Sequence, residues 1–185
     1  MSARSMRAWV AGASLLAFAL LGCSLQAPDP AGISAHPGGQ AVEAAPALPP
    51  HLRRALYPKW IDAKAEITWP PNDGYAAPPV AQTLPAGTLI DRFGGEGGTF
   101  FSPKGESFAA RAVPYVCERM TYTVYRVAKP LVVLAGKAAP WFDEPGGAVQ
   151  YRTEEPAFKL RLAGMIETAA NDNSPDGTFP APCGP

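Results

Sequence analysis

Proline limits this chain more than any other feature, at 22 of its 185 residues. Each proline fixes φ near −65° and removes a backbone donor, so neither a helix interior nor a central strand runs through one without a break. The residue before each is pushed toward extended backbone as well. Only short elements fit between them, and the architecture expected is a compact, mainly antiparallel α+β domain with a few short helices.

The intervals between prolines read as follows. Leu52–Tyr57 is a short helix stopped by Pro58, and Trp69–Gly74 is a rigid turn set by Pro70, Pro71 and Asn-Asp-Gly. Thr88–Phe93 has the apolar and β-branched content of a strand, closed by Gly94 and Gly95. Thr99–Phe101 is a second strand, and the two form a hairpin with a long glycine loop. Thr121–Val127 is the clearest strand, followed by Leu131–Leu134 and, after the Trp141–Gly147 loop, Ala148–Tyr151. Pro156–Ala163 is a short helix with proline at its start and Gly164 past its end. Phe158 and Leu162, four apart, are expected to face the core. Met165–Thr168 is the last strand.

The first 50 residues have another character. Arg4 and Arg7 precede an uncharged apolar stretch from Ala8 to Gly22 that is short for a bilayer crossing, which needs about 20 residues. A basic head, a short apolar middle and a small residue at the break make an export signal over residues 1–22. Leu20-Leu21-Gly22-Cys23 looks like a lipobox, with Cys23 the lipidated residue, or else an ordinary cleavage site beside an incidental cysteine. Either reading sends the protein out of the cytoplasm; lipidation would place it in the bacterial cell envelope, at the outer membrane or cell surface. Residues 23–50 are rich in Ala, Pro and Gly and cannot bury enough surface to offset ordering entropy, so they read as a tether. One folded domain is expected over residues 51–185.

Export of the signal removes two arginines, leaving 14 basic residues against 16 acidic. That balance offers no electrostatic attraction for nucleic acid. With Cys23 assigned to lipid, Cys117 and Cys183 most economically form one disulfide in an oxidising compartment. Neither has a neighbouring His or Cys, and the only histidines, His36 and His51, lie in the tether and at its end, so no metal site is expected.

Gly94-Gly95-Glu96-Gly97-Gly98 invites a nucleotide-binding reading. A phosphate loop needs a helix N-terminus after it, whereas a strand follows here. Taken alone, the cluster is a hairpin loop whose glycines allow tight reversal.

Its neighbours say more. From Trp69 the chain runs WPPNDGY, LPAGTLIDRFGGEGGTFFSP, ARAVP, YTVYRV, KPL, APWFDEPGGAVQY, then a helix ending in LAGMI. This ordered series resembles the TNT family of NAD glycohydrolase domains, named for the necrotizing toxin of the tuberculosis bacterium and found also in fungal surface enzymes. The resemblance runs from about Trp69 to Thr168. It implies hydrolysis of NAD+ to nicotinamide and ADP-ribose, with no metal or bound cofactor; cleavage of NADP+ as well stays open. The DRFG arginine carries over to Arg92 and the PGG-x-x-Q glutamine to Gln150. The aromatic eight residues after the arginine, often Tyr in the family, is Phe100 here. Arg111 of the RAVP segment is a phosphate-binding companion. A histidine that some members use between the RAVP and PGG segments has no counterpart in this sequence. Toxic members imply a neutralising immunity protein as partner.

The residue types suit such a reaction. Most glycosidases protonate a poor leaving group with a carboxylic acid. Nicotinamide leaves from a linkage already cationic, so the needs are orientation, stabilisation of an oxocarbenium-like centre and a placed water. Gln150 suits a ribose hydroxyl or the water. Arg92 and Arg111 suit the pyrophosphate. Phe93, Phe100 and Phe101 offer ring faces, although strand alternation sends one of the last two into the core. Each residue also has a structural reading: Arg92 as half of a buried ion pair, Gln150 as an edge residue. Asp143 and Glu144, beside Trp141 and Phe142, are alternative carboxylates or members of a solvated loop. Two functions stay open: a lipid-anchored NAD+ glycohydrolase, or an inactive lipoprotein that binds a nucleotide or protein on the same scaffold.

Overall fold

The strands form where proline and glycine leave room for them. The structure, a computed structural model, describes residues 46–184. The export signal, Cys23 and most of the tether lie outside the described residues. Seven strands make one sheet: β1 Val80–Leu84, β2 Leu89–Phe93, β3 Phe100–Pro103, β4 Tyr122–Val127, β5 Leu131–Lys137, β6 Val149–Arg152 and β7 Ile166–Thr168. Their order across the sheet is β1-β5-β6-β3-β2-β4-β7. Every pairing is antiparallel. The fold is thus the mainly antiparallel α+β domain expected, with one α-helix, α1 Ala157–Leu162, among the described residues.

β2 and β3 form the expected hairpin, with Ile90 opposite Pro103 and Asp91 opposite Ser102. The core forms by alternation. In β5, Leu131, Val133 and Ala135 point inward, joined by Ile90, Phe101, Tyr125, Tyr151 and Leu160. A second cluster of Leu52, Leu56, Ile61 and Phe142 packs the segment before the sheet against the Trp141–Phe142 loop, with Leu48 and Tyr115 against it. Cys117 and Cys183 are joined in a disulfide 66 residues apart in sequence. Closing a loop of that length contributes about 4 kcal/mol on a chain-entropy estimate.

Two readings need correction, and one strand went unread. Leu52–Tyr57 is not an α-helix: only Arg54–Leu56 turns, as one 3-10 turn, held by the burial of Leu52 and Leu56. β1 was not legible, because four of its five residues are exposed and carry no alternation. Phe158 and Leu162 do not face the core; they are 41% and 83% exposed. The helix instead buries Ala157 and Leu160, and six residues are too few to bury a second stripe.

Candidate active site

The end of β2 opens into a cleft of about 650 Å³ lined by Arg92, Phe93, Phe100, Arg111 and Gln150 together with His51, Trp69 and Tyr115. A smaller recess of about 90 Å³ shares the first five and reaches the buried side chains of Phe101 and Ser102.

Arg92 is 7% exposed. Its Nη1 donates to the Phe100 carbonyl at 3.2 Å, and its guanidinium lies 5.6 Å from the Phe101 ring centre. Nε has no hydrogen-bond partner, and no carboxylate among the described residues forms an ion pair with Arg92. Burial draws the guanidinium below arginine's ordinary range, with Tyr125 and then Glu96 opposing that pull. Arginine remains charged through such shifts, so a buried cation faces the cleft with unused donors.

The glycine loop is what holds it there. An ideal Cβ on Gly98 would stand 2.1 Å from Arg92 Nη2 and 2.5 Å from Nη1, so the guanidinium lies in the space a side chain would fill. The loop is fastened to α1, whose Ala157 and Phe158 amides donate to the Gly98 and Glu96 carbonyls. The Glu96 carboxylate pairs with Arg161 at 2.9 Å. At Gly98 the loop admits the close approach of the Arg92 side chain.

Arg111 reaches the same cleft, but the phosphate fork expected of it is occupied. Nη1 stands 2.6 Å from Asp91 Oδ1 as an ion pair that falls outside hydrogen-bond alignment. Nε and Nη2 both donate to the Glu106 carbonyl. Asp91 is fully buried, and its Oδ2 accepts from the Gly105 amide at 3.0 Å and the Tyr122 hydroxyl at 2.7 Å. Burial, then the hydrogen bond to Asp91 and its charge, push the Tyr122 hydroxyl well above the ordinary tyrosine range. Arg111 also covers the Phe93 ring at 5.0 Å, and Phe93 packs edge-on against Phe108. This network braces the cleft wall and leaves Arg92 as a cleft cation with no ion pair among the described residues.

Gln150 stands on β6 opposite Gly136 of β5. Its Nε2 donates to the Asp73 carbonyl at 2.9 Å, while the Tyr75 hydroxyl donates to the Leu134 carbonyl. The amide is thereby oriented with Oε1 free of a protein donor among the described residues. The Asp73 carboxylate pairs with Arg152. Phe100 is 41% exposed in the cleft, whereas Phe101 is 2% exposed and lies beneath Arg92. Strand alternation divides the pair as expected. Asp143 and Glu144 are not in the cleft; they pair with Lys59 at 2.6 Å and Arg53 at 2.5 Å. A hydrogen bond from Lys59 holds the exposed Asp143 carboxyl below its ordinary range.

Sequence reasoning missed Trp69, Tyr115 and His51 as cleft residues. Trp69 is 53% exposed, set edge-on against Phe142 at 5.7 Å and tilted against Tyr115 at 6.4 Å. His51 packs 5.9 Å from Tyr115. The one available signal was a tryptophan beside two prolines in a turn.

Fold and cleft together define a class: an antiparallel sheet domain whose loops surround a buried, carboxylate-free arginine and several aromatic faces. That combination suits an anionic ligand carrying flat rings. Residues 83–169 match the model of the family described as TNT, Tuberculosis necrotizing toxin. The conidial surface nicotinamide adenine dinucleotide glycohydrolase nadA of Aspergillus fumigatus is 39% identical over 111 aligned residues, covering 51% of this chain and 47% of that protein. The chain thus spans about half the length of this curated relative. A solved structure of tuberculosis necrotizing toxin complexed with its immunity factor superposes with a TM-score of 0.48 at 18% identity, covering 58% of this chain and 65% of that one.

Proposed function

We propose that this chain is an NAD+ glycohydrolase. The observation that carries the reading is Arg92, a buried guanidinium without a carboxylate partner, facing a cleft beside Gln150 and Phe100 on the segment that matches the family. The naming of the Aspergillus relative as a nicotinamide adenine dinucleotide glycohydrolase supports the substrate.

Arg92 holds the pyrophosphate through its unused donors, and the buried setting strengthens that contact. The C1′–N bond of the nicotinamide riboside breaks, and its electron pair returns to the ring nitrogen, neutralising the pyridinium. Positive charge develops at C1′ and the ring oxygen. Gln150 Oε1 is placed to accept from a ribose hydroxyl or from the attacking water. The water oxygen bonds to C1′ and its proton passes to solvent, giving nicotinamide, ADP-ribose and a proton. No acid is needed for the leaving group, which agrees with the ion pairing of Asp143 and Glu144 outside the cleft.

The mature protein would act at the bacterial cell envelope, anchored through Cys23, on NAD+ there or in a rival cell. An immunity protein, as in the toxin complex, would be its partner. Fractionation tests the anchor: Cys23→Ser should leave the membrane fraction, and full retention there would contradict lipidation. Etheno-NAD+ tests the activity. The mature chain should raise its fluorescence, with nicotinamide released in equal amount. Binding without fluorescence gain would instead favour an inactive binder on the same scaffold.

A further inference from the structure

We propose that Trp69, backed by Tyr115 and flanked by His51, is the platform for the adenine ring of the dinucleotide. The assignment of that ring rests on the glycohydrolase reading; the platform itself rests on geometry.

Two cavities of different size meet at Arg92. The recess of about 90 Å³ between Arg92, Phe100, Phe101 and Gln150 has room for one small ring. Tyr115 lines both cavities, and the wider cleft adds Trp69 and His51, which do not line the recess. A dinucleotide whose pyrophosphate sits on Arg92 therefore has nicotinamide in the recess, next to Gln150, and adenine in the wider part.

Trp69 is built as a stacking surface. The indole is 53% exposed and lines the cleft, so a flat ring laid on it would bury apolar area favourably. Its orientation is nevertheless fixed. Phe142 and Tyr115 contact it at 88° and 58°, so neither ring stacks parallel on the indole. The backbone is pinned on both sides. Trp141 Nε1 donates to the Thr68 carbonyl at 3.0 Å, and the Ala139 amide donates to the Gly74 carbonyl at 2.7 Å. Pro70 and Pro71 stiffen the interval between. A fixed, exposed aromatic ring sharing a cleft with a cation is the arrangement that stacks a base without reading its identity. His51 and Trp69 precede the matched residues 83–169, whereas Tyr115 and Phe142, which pack against Trp69 or His51, lie within them.

The test compares ligands that do and do not carry adenine, using the mature chain. AMP is titrated by calorimetry, ribose 5-phosphate serves as the ring-free control, and kinetics are run with NAD+ and with nicotinamide mononucleotide. Trp69→Ala should weaken AMP and raise the KM for NAD+ by about tenfold, the scale of one lost base stack. The KM for nicotinamide mononucleotide and the affinity for ribose 5-phosphate should change less than twofold. Trp69→Phe should restore most of the AMP affinity. Equal AMP affinity in the parent and Trp69→Ala overturns the proposal, as does an equal loss on both kinetic substrates. If the parent cleaves neither substrate, the hydrolase reading fails, and the AMP titration still decides whether the platform exists.

Discussion

Substituting Gly98 should impair activity far more than stability. A Cβ there would stand 2.1 Å from Arg92 Nη2, whereas ordinary contact begins near 3.4 Å, so the guanidinium must retreat by at least about 1.3 Å. The tip of an arginine can move, so the fold survives. Arg92 is only 7% exposed, however, with the Phe101 ring beneath it and the Phe100 carbonyl on Nη1. It can retreat only by losing those contacts, at a cost of about 1–3 kcal/mol. A displacement of roughly 1 Å in a positioning group commonly costs about 10² in rate. Gly98→Ala should therefore lower kcat/KM for etheno-NAD+ by about 100-fold with a modest fall in melting temperature. Gly98 acts through Arg92, so the two effects should not add. In an Arg92→Ala background, Gly98→Ala should cost less than about 0.5 kcal/mol in either measurement. A Gly98→Ala enzyme with parental kcat/KM would refute the reasoning, and so would full additivity with Arg92→Ala.

Asp91→Ala should destabilise the domain by about 3–5 kcal/mol in urea unfolding, because it strands the nearly buried Arg111 without its counter-charge; a loss under about 1 kcal/mol would show that the pair is not doing what its burial suggests. Alkaline pH should also weaken the fold. Tyr75, Tyr115, Tyr122, Tyr125 and Tyr151 all have hydroxyls raised above the ordinary value of 10.0, with burial the largest cause. The unfolded chain then releases protons first, so the stability these groups carry is complete below about pH 10 and declines as pH climbs toward their raised values. A melting temperature that stays flat between about pH 9 and pH 11 would contradict this.

Much of the sheet could be read before the structure, because its strands are marked by local chemistry. β4 carries alternating aromatic and β-branched residues, and β2 and β6 are bounded by glycine. β1 escaped for the opposite reason. It is an edge strand with four exposed residues, specified by its pairing with β5. In α1 the four-residue spacing of Phe158 and Leu162 misled, since Ala157 and Leu160, three apart, make the buried stripe. The site divides similarly. Arg92, Gln150 and Phe100 were legible as motif positions, and the structure brings them to one cleft. The capture of Arg111 by Asp91, the Gly98 contact with Arg92 and the Trp69 wall depend on packing between distant segments, which no local pattern records.

The central claim is that Gln150 acts on the transition state while Arg92 grips the substrate, and steady-state kinetics on two folded variants test it most directly. Gln150→Ala, with an unchanged melting temperature, should lower kcat for NAD+ by about 10²–10³ and leave KM nearly constant. Arg92→Ala should raise KM and reduce kcat/KM. A folded Gln150→Ala enzyme that hydrolyses NAD+ at the parental rate would contradict the account.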